Sequence, residues 1–263
     1  MNIVIIGYGK MGKMIETIAE ERGHRIVLKI DVDNLGDFTR ENLEKAQVAI
    51  EFTNPETAFA NVTRCIEYGI PVVSGSTGWY NRLEEAKRLC TERNGTMLCA
   101  SNFSLGVNIF FEINRQLARL MNRFPEYSIE IEETHHTQKL DAPSGTAITL
   151  AEGIIDEIPR IKKWELAETR CISTGSTGSL TTSLNDHATP LQMNDPSLPI
   201  RAIRRDSVPG THHIKYSSEI DDVEIIHTAH NRKGLALGAV MAAEYIHDRK
   251  GIFTMKDVLK LHH

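Results

Sequence analysis

The chain opens on a compact apolar run, Ile3–Ile6, that stops at a glycine. Met11, Met14, Ile15, Ile18 and Ala19 then recur at the offsets of a single helix face. Further apolar runs at Arg25–Ile30, Val48–Phe52, Val72–Val73 and Met97–Ala100 read as buried strands. Between them, one helix is predicted from Asn54-Pro55, a cap followed by a first-position proline, as far as Gly69. Another is predicted over Arg82–Arg93. Strands that alternate with helices imply right-handed crossovers and a parallel sheet covered on both faces.

The pattern changes after Asn102. A long helix is predicted from Leu105 to Asn122, with Val107, Phe110, Phe111, Ala118 and Met121 on one face, and Ile129–His136 alternates as a strand does. Residues 173–199, rich in Ser, Thr, Asn and Pro, read as an extended or mobile excursion. Pro199–Arg204, His212–Ser217 and Val223–Thr228 read as strands of a second sheet. Helices over Leu235–Asp248 and Met255–Leu261 follow, with His262-His263 as a solvated tail.

Composition narrows the function classes. With 41% hydrophobic and 25% charged side chains in 263 residues, the chain has the apolar content for a packed core, which excludes disorder for most of it. Thirty Lys+Arg against 35 Asp+Glu argue against a nucleic-acid partner. The apolar runs are too short to span a bilayer. Met1-Asn2 offers no charged leader start, so no signal peptide is expected. Cys65, Cys90, Cys99 and Cys171 show neither paired nor metal-ligand spacing, and the expectation is reduced thiols in a cytoplasmic protein without metal.

Gly7-Tyr8-Gly9-Lys10-Met11-Gly12 sits where the first strand meets the first helix. Gly7 permits the tight turn, Gly9 lets backbone approach a pyrophosphate, and Gly12 lets helix and strand pack closely. The helix N-terminus offers free N–H groups to phosphates. Asp31 closes the second strand 31 − 12 = 19 residues past the last glycine, the position of a carboxylate that receives ribose hydroxyls. These features predict an α/β fold with a Rossmann-type doubly wound parallel sheet binding NADH or NADPH. Val32 rather than Arg follows Asp31, so no adjacent cation welcomes a 2′-phosphate. This tilts the choice to NADH, although Arg40 or Lys10 leaves NADPH open.

The segment from Glu132 to Ala147 contains His135, His136, Lys139 and Asp141-Ala142-Pro143-Ser144-Gly145-Thr146. Alternation puts His135 and His136 on opposite strand faces. Pro143 to Thr146 is good chemistry for starting a helix, and a start without bulk at Gly145 exposes amide donors that hold a carboxylate. A cation, an imidazole and an anion-binding helix end suit a small carboxylated substrate. Two plainer readings, a surface histidine pair and a simple helix cap, stand beside this one. A metal site using His212-His213, His227 and His230 is the minority reading, because their spacing matches no familiar ligand pattern.

On these residues the chain resembles the 4-hydroxy-tetrahydrodipicolinate (dihydrodipicolinate) reductase family over essentially its whole length. The most specific element is His135-His136-x-x-Lys139-x-Asp141-Ala142-Pro143-Ser144-Gly145-Thr146-Ala147. Gly75-Ser76-Thr77-Gly78, Asn102-Phe103-Ser104 and Arg232…Gly238-Ala239 follow in family order. The resemblance implies NAD(P)H-dependent reduction of a cyclic imine dicarboxylate in lysine biosynthesis. It gives the dinucleotide to Gly7, Tyr8, Gly9, Lys10, Met11, Gly12 and Asp31, and its nicotinamide end to Gly75, Ser76, Thr77, Ala100, Ser101, Asn102 and Phe103. Arg232 would lie near hinge and cofactor. His135 and Lys139 become the catalytic groups, and His136, Lys139, Gly145 and Thr146 the substrate holders. It also implies residues 1–103 with 232–263 as the dinucleotide domain. Residues 104–231 become an α+β substrate and oligomerisation domain with a mixed, mostly antiparallel sheet, assembled as a homotetramer. The rivals are another two-domain dehydrogenase, such as a semialdehyde enzyme, and a nucleotide-sensing protein without catalysis.

Overall fold

A computed structural model of the chain describes residues 1–172, 196–206 and 208–261. They form two compact units, Met1–Asn108 with Lys233–His263 and Ile109–Arg232. The first unit begins with β1 (Asn2–Ile6), α1 (Lys10–Glu21), β2 (Arg25–Ile30), α2 (Arg40–Leu43), β3 (Val48–Glu51) and α3 (Pro55–Glu67). It continues through β4 (Val72–Ser74), α4 (Leu83–Glu92) and β5 (Thr96–Cys99). Next, α5 (Leu105–Met121) leads to β6 (Ser128–His135), α6 (Gly145–Glu157), β7 (Lys163–Ile172), β8 (Ser197–Arg205), β9 (Gly210–Ser217) and β10 (Asp222–Ala229). The chain then returns to the first unit as α7 (Lys233–Ile246), β11 (Gly251–Phe253) and α8 (Met255–Leu259).

The first sheet has the order β11-β5-β4-β3-β1-β2 and is parallel throughout. Continuous apolar runs are what a doubly covered strand requires. Ile3 and Ile5 pack with Ile15 of α1 and Val240 of α7, whereas Val4 and Ile6 meet Val62 of α3 and Ala86 of α4. Helix α7 lies so close to the loop after β5 that a Cβ on Gly238 would fall 1.7 Å from the Phe103 carbonyl oxygen.

The second sheet has the order β10-β9-β6-β8-β7. It is mixed and evenly divided: β9 pairs antiparallel with β10 and β6, while β8 pairs parallel with β6 and β7. The expectation of a mostly antiparallel sheet is corrected here. Strand β7 escaped the sequence reading because Lys163, Glu165, Glu168 and Arg170 interrupt any apolar pattern, as suits an edge strand. One sheet face carries Ile131, Ile200, Ile214 and Tyr216, packed against Leu150 and Ile154 of α6 and against Phe110 and Met121 of α5. Most of the 173–199 excursion and the His262-His263 tail lie outside the described residues, but Ser197–Pro199 open β8.

Candidate active site

At the end of β1, Gly7 adopts φ +92°, and a Cβ there would sit 2.1 Å from the Phe52 carbonyl oxygen. A Cβ on Gly12 would meet the Gly7 carbonyl oxygen at 2.3 Å, whereas Gly9 faces open space. Two positions are thus closed by packing and the third is open to a ligand. Helix α1 has Gly9 at its cap, with no side-chain capping bond and no acidic residue in its first turn. Its unsatisfied N–H groups and partial positive charge suit phosphate.

Two grooves run beside this turn. One, of about 290 Å³, is lined by Gly7, Gly9, Asp31, Val32, Leu35 and Thr53, among others. The second, of about 420 Å³, is lined by Gly9, Lys10, Met11, Thr53, Gly75, Ser76 and Thr77, among others. The Asp31 carboxylate accepts the Val32 amide at 2.9 Å and is in no ion pair among the described residues. Val32 and Leu35 are strongly exposed apolar side chains beside it, a surface suited to an aromatic base. Tyr8 lies outside both grooves: its ring sits under the Lys29 ammonium at 4.6 Å, and its hydroxyl donates to Glu16. Ala100, Ser101, Asn102 and Phe103 line neither groove. Phe103 is buried with its ring centroid 5.7 Å from that of Phe52. Arg232 is exposed.

The sequence reading passed over Glu51. This wholly buried carboxylate accepts the Ser74 hydroxyl at 2.5 Å, the Ser76 hydroxyl at 2.8 Å, the Thr53 amide at 3.0 Å and the Thr53 hydroxyl. It ties together the two loops, after β3 and β4, that wall the second groove. A lone acid inside an apolar strand was the signal available.

In the second unit, register assembles the chemistry. On β6, alternation turns Glu133 and His135 to the buried face and leaves His136 half-buried. Glu133 faces His212 of β9, and His135 faces Arg204 of β8. The His135 and His212 rings stand edge to face at 5.1 Å. Glu133 accepts the Ser144 amide at the cap of α6 at 3.0 Å and Arg204 Nη2 at 3.0 Å. His135 Nδ1 lies 3.6 Å from Glu133, and His212 Nε2 lies 3.7 Å from it. Gly145, the first residue of α6, faces open space. Lys139 Nζ donates to both carboxylate oxygens of Asp141 at 2.8 Å.

Glu133, His135 and His212 offer ligand atoms all within 4.8 Å of one another. Glu133 already accepts from a guanidinium and an amide, and the Arg204 charge opposes a second cation. His213 faces Glu224 and His227 packs on Phe110, so neither joins this group.

Burial pushes the His135 pKa down to about 4. Lys139 and Arg204 push the same way, against the opposing pull of Glu133. Burial, then the neighbouring His135, pushes His212 down to about 3. Both imidazoles are neutral in the free protein at pH 7. Their unfolded forms take up protons below about pH 6.5, while the folded forms do not until about pH 4 and 3. The stability they confer is therefore complete above pH 6.5 and lost as pH falls towards 4. For His135 alone the loss is on the order of 3 kcal/mol. Urea unfolding followed from pH 8 to pH 4.5 should show the midpoint falling below pH 6.5. A flat midpoint would contradict the buried, neutral pair.

The chain matches the family profile "Dihydrodipicolinate reductase, N-terminus" over residues 1–103 and "Dihydrodipicolinate reductase, C-terminus" over residues 106–259. The chain belongs to the dihydrodipicolinate reductase family. Relatives include the 4-hydroxy-tetrahydrodipicolinate reductase of Christiangramia forsetii, 46% identical with 98% of each chain covered. That of Chromobacterium violaceum is 34% identical, covering 99% of this chain and 98% of its own. A solved dipicolinate-bound dihydrodipicolinate reductase from Paenisporosarcina sp. TG-14 aligns with a TM-score of 0.70 at 22% identity, covering 97% of both chains, which speaks for the shared fold. Within this reductase family fold, Glu133, Asp141, Arg204 and His212 are the members of the second-unit group that the sequence reading had not assigned to the site.

Proposed function

We propose that the chain is an oxidoreductase that converts 4-hydroxy-tetrahydrodipicolinate to tetrahydrodipicolinate, in lysine biosynthesis through diaminopimelate. The balance consumes the hydroxylated ring, reduced nicotinamide and a proton, and yields the reduced ring, oxidised nicotinamide and water. The observation that carries this reading is the grouping of His135 and the open start of α6 around Glu133, with the Lys139 charge near enough to act on His135, in a chain of this family. A cation, an imidazole and amide donors match a ring with two carboxylates.

The grooves beside Gly9 would hold a reduced nicotinamide dinucleotide, which when bound would supply the hydride. Gly9, Lys10 and Met11 would hold the pyrophosphate, with Gly7 and Gly12 shaping the turn behind them; Asp31 would receive the ribose hydroxyls, and Gly75, Ser76 and Thr77 the nicotinamide end. Phe103 packs on Phe52, which lines both grooves, and so backs the nicotinamide end from behind. His136, Lys139 and the Gly145 and Thr146 amides hold the substrate carboxylates. Lys139 exchanges Asp141 for one of these carboxylates. Lys139 and Arg204 push the His135 proton affinity down and Glu133 and Asp141 push it up, so the added negative charge of a dianion raises the proton affinity of the imidazole. Substrate binding thereby arms His135 to give a proton to the ring as its charge shifts.

NADH fits Asp31 better than NADPH, since a 2′-phosphate would meet that carboxylate. The test is to mix protein with substrate made from pyruvate and aspartate semialdehyde, then follow the absorbance of NADH or NADPH. No decay with either cofactor sinks the reading. Asp31→Ser is expected to lower kcat/KM for NADH about tenfold or more, by loss of charged hydrogen bonds, and to narrow the gap to NADPH. An unchanged cofactor ratio would remove Asp31 from that role. The same reading takes the protein as a cytoplasmic homotetramer. Exposed Ile220, Ile226, Leu120 and Phe124 are apolar surface of the second unit available for such contacts, and sedimentation velocity tests the assembly.

A further inference from the structure

We propose that Arg204 is a positioning residue for this reaction, whose buried guanidinium fastens the Lys139–Asp141 turn to the strand that carries His135. This inference rests on the role given above to Lys139. Arg204 is 3% exposed. Its Nη2 donates to the Asp141 carbonyl at 2.7 Å and to Glu133 Oε1 at 3.0 Å. Its Nε donates to the Lys139 carbonyl at 3.3 Å, and its Nη1 to the Ile203 carbonyl at 3.0 Å. One planar fork thus joins β6, β8 and the turn.

The turn has little else to order it. Thr137, Gln138, Leu140 and Asp141 are exposed, Leu140 at 96%. Among the described residues, its other bonds are the Lys139–Asp141 ion pair within the turn, the Lys139 amide to the His136 carbonyl at 3.1 Å and the Thr137 hydroxyl to Asp206 at 2.5 Å. Fixing such a segment costs conformational entropy at every residue, and two charge-assisted bonds to its carbonyls offset part of that cost where Lys139 leaves the backbone. Burying a guanidinium is costly unless it is fully paired. An apolar side chain would fill the space between β6 and β8 more cheaply, but it could not reach two turn carbonyls and a carboxylate at once. Lysine keeps the charge beside Glu133 and lacks the fork.

The decisive variant is Arg204→Lys, studied in the full chain. Turnover of the dicarboxylate substrate is expected to fall about a hundredfold, the effect of misplacing a reacting group by about 1 Å. The Kd for NADH, read by fluorescence, should stay within twofold. Deuterium exchange should quicken in peptides covering residues 136–143 and remain unchanged in the first unit. Wild-type turnover in Arg204→Lys overturns the proposal, as does lost turnover with unaltered exchange in the turn. Faster exchange spread over both units, with weakened NADH binding, also overturns it, since that marks a merely structural role. Should Arg204→Lys not fold, Arg204→Gln, which keeps one amide donor, is judged by the same two readouts. If the wild-type chain fails to reduce the substrate, the activity reading falls, while the exchange comparison still decides whether Arg204 orders the turn.

Discussion

Replacing His135 by glutamine is expected to lower turnover by about 10²–10⁴, the contribution of a well-placed proton-transfer group. Glutamine keeps a polar side chain of similar reach in the space between Glu133 and His212 but cannot exchange a proton near neutral pH. The grooves beside Gly9 are built from first-unit residues alone, so NADH affinity should stay within about twofold. A second consequence can be read in the same protein. His135 supplies part of the stability lost on acidification, so His135→Gln should flatten the fall in urea midpoint between pH 6.5 and 4.5. Normal turnover with an unchanged acid limb would remove His135 from both roles.

Lys139→Met is expected to lower kcat by about 10²–10³ and to raise the substrate KM, because one ammonium serves both binding and charge stabilisation. The stem of methionine keeps the packing, and Asp141, left without its partner, is largely exposed. An exposed ion pair is worth about 0.2–1 kcal/mol, so unfolding should barely shift. The loss is then chemical rather than structural. Lys139→Arg should not restore activity, since a planar fork cannot stand in for a compact ammonium on the same short turn. Steady-state kinetics with varied substrate settle it: a Met variant with unaltered kcat and KM rules out contact between Lys139 and the reacting ring.

Much of the first unit was legible in the sequence because its signals are local. Apolar runs that must be buried on two faces, and the Gly7–Gly12 spacing, need no partner to be recognised. The three-residue β11 was too short to register, and β7 was hidden by edge charges. The candidate site divides in the same way. His135, Lys139 and Gly145 stand within a single stretch of eleven residues. Arg204 and His212 reach that stretch through strand register, which pairs His135 with Arg204 across 69 positions (204 − 135) and Glu133 with His212 across 79 (212 − 133). Whether an arginine in an alternating strand is buried or solvated depends on its neighbours across the sheet, and the local pattern is silent on that. Glu51 was missed for a similar reason, since its four donors come from Thr53 in the loop after β3, from Ser74 at the end of β4 and from Ser76 in the loop after β4.

The late return of the chain bears on how the protein is made. A ribosome delivers Ile109–Arg232 as an unbroken stretch, so the second unit has all of its own residues before the first does. The first unit must wait for α7 to cover Ile3, Ile5 and Val73, and for β11 to pair with the outer edge of β5. During that interval a nascent parallel sheet carries bare apolar surface and an open strand edge, the condition in which chaperone capture or wrong pairing competes with completion.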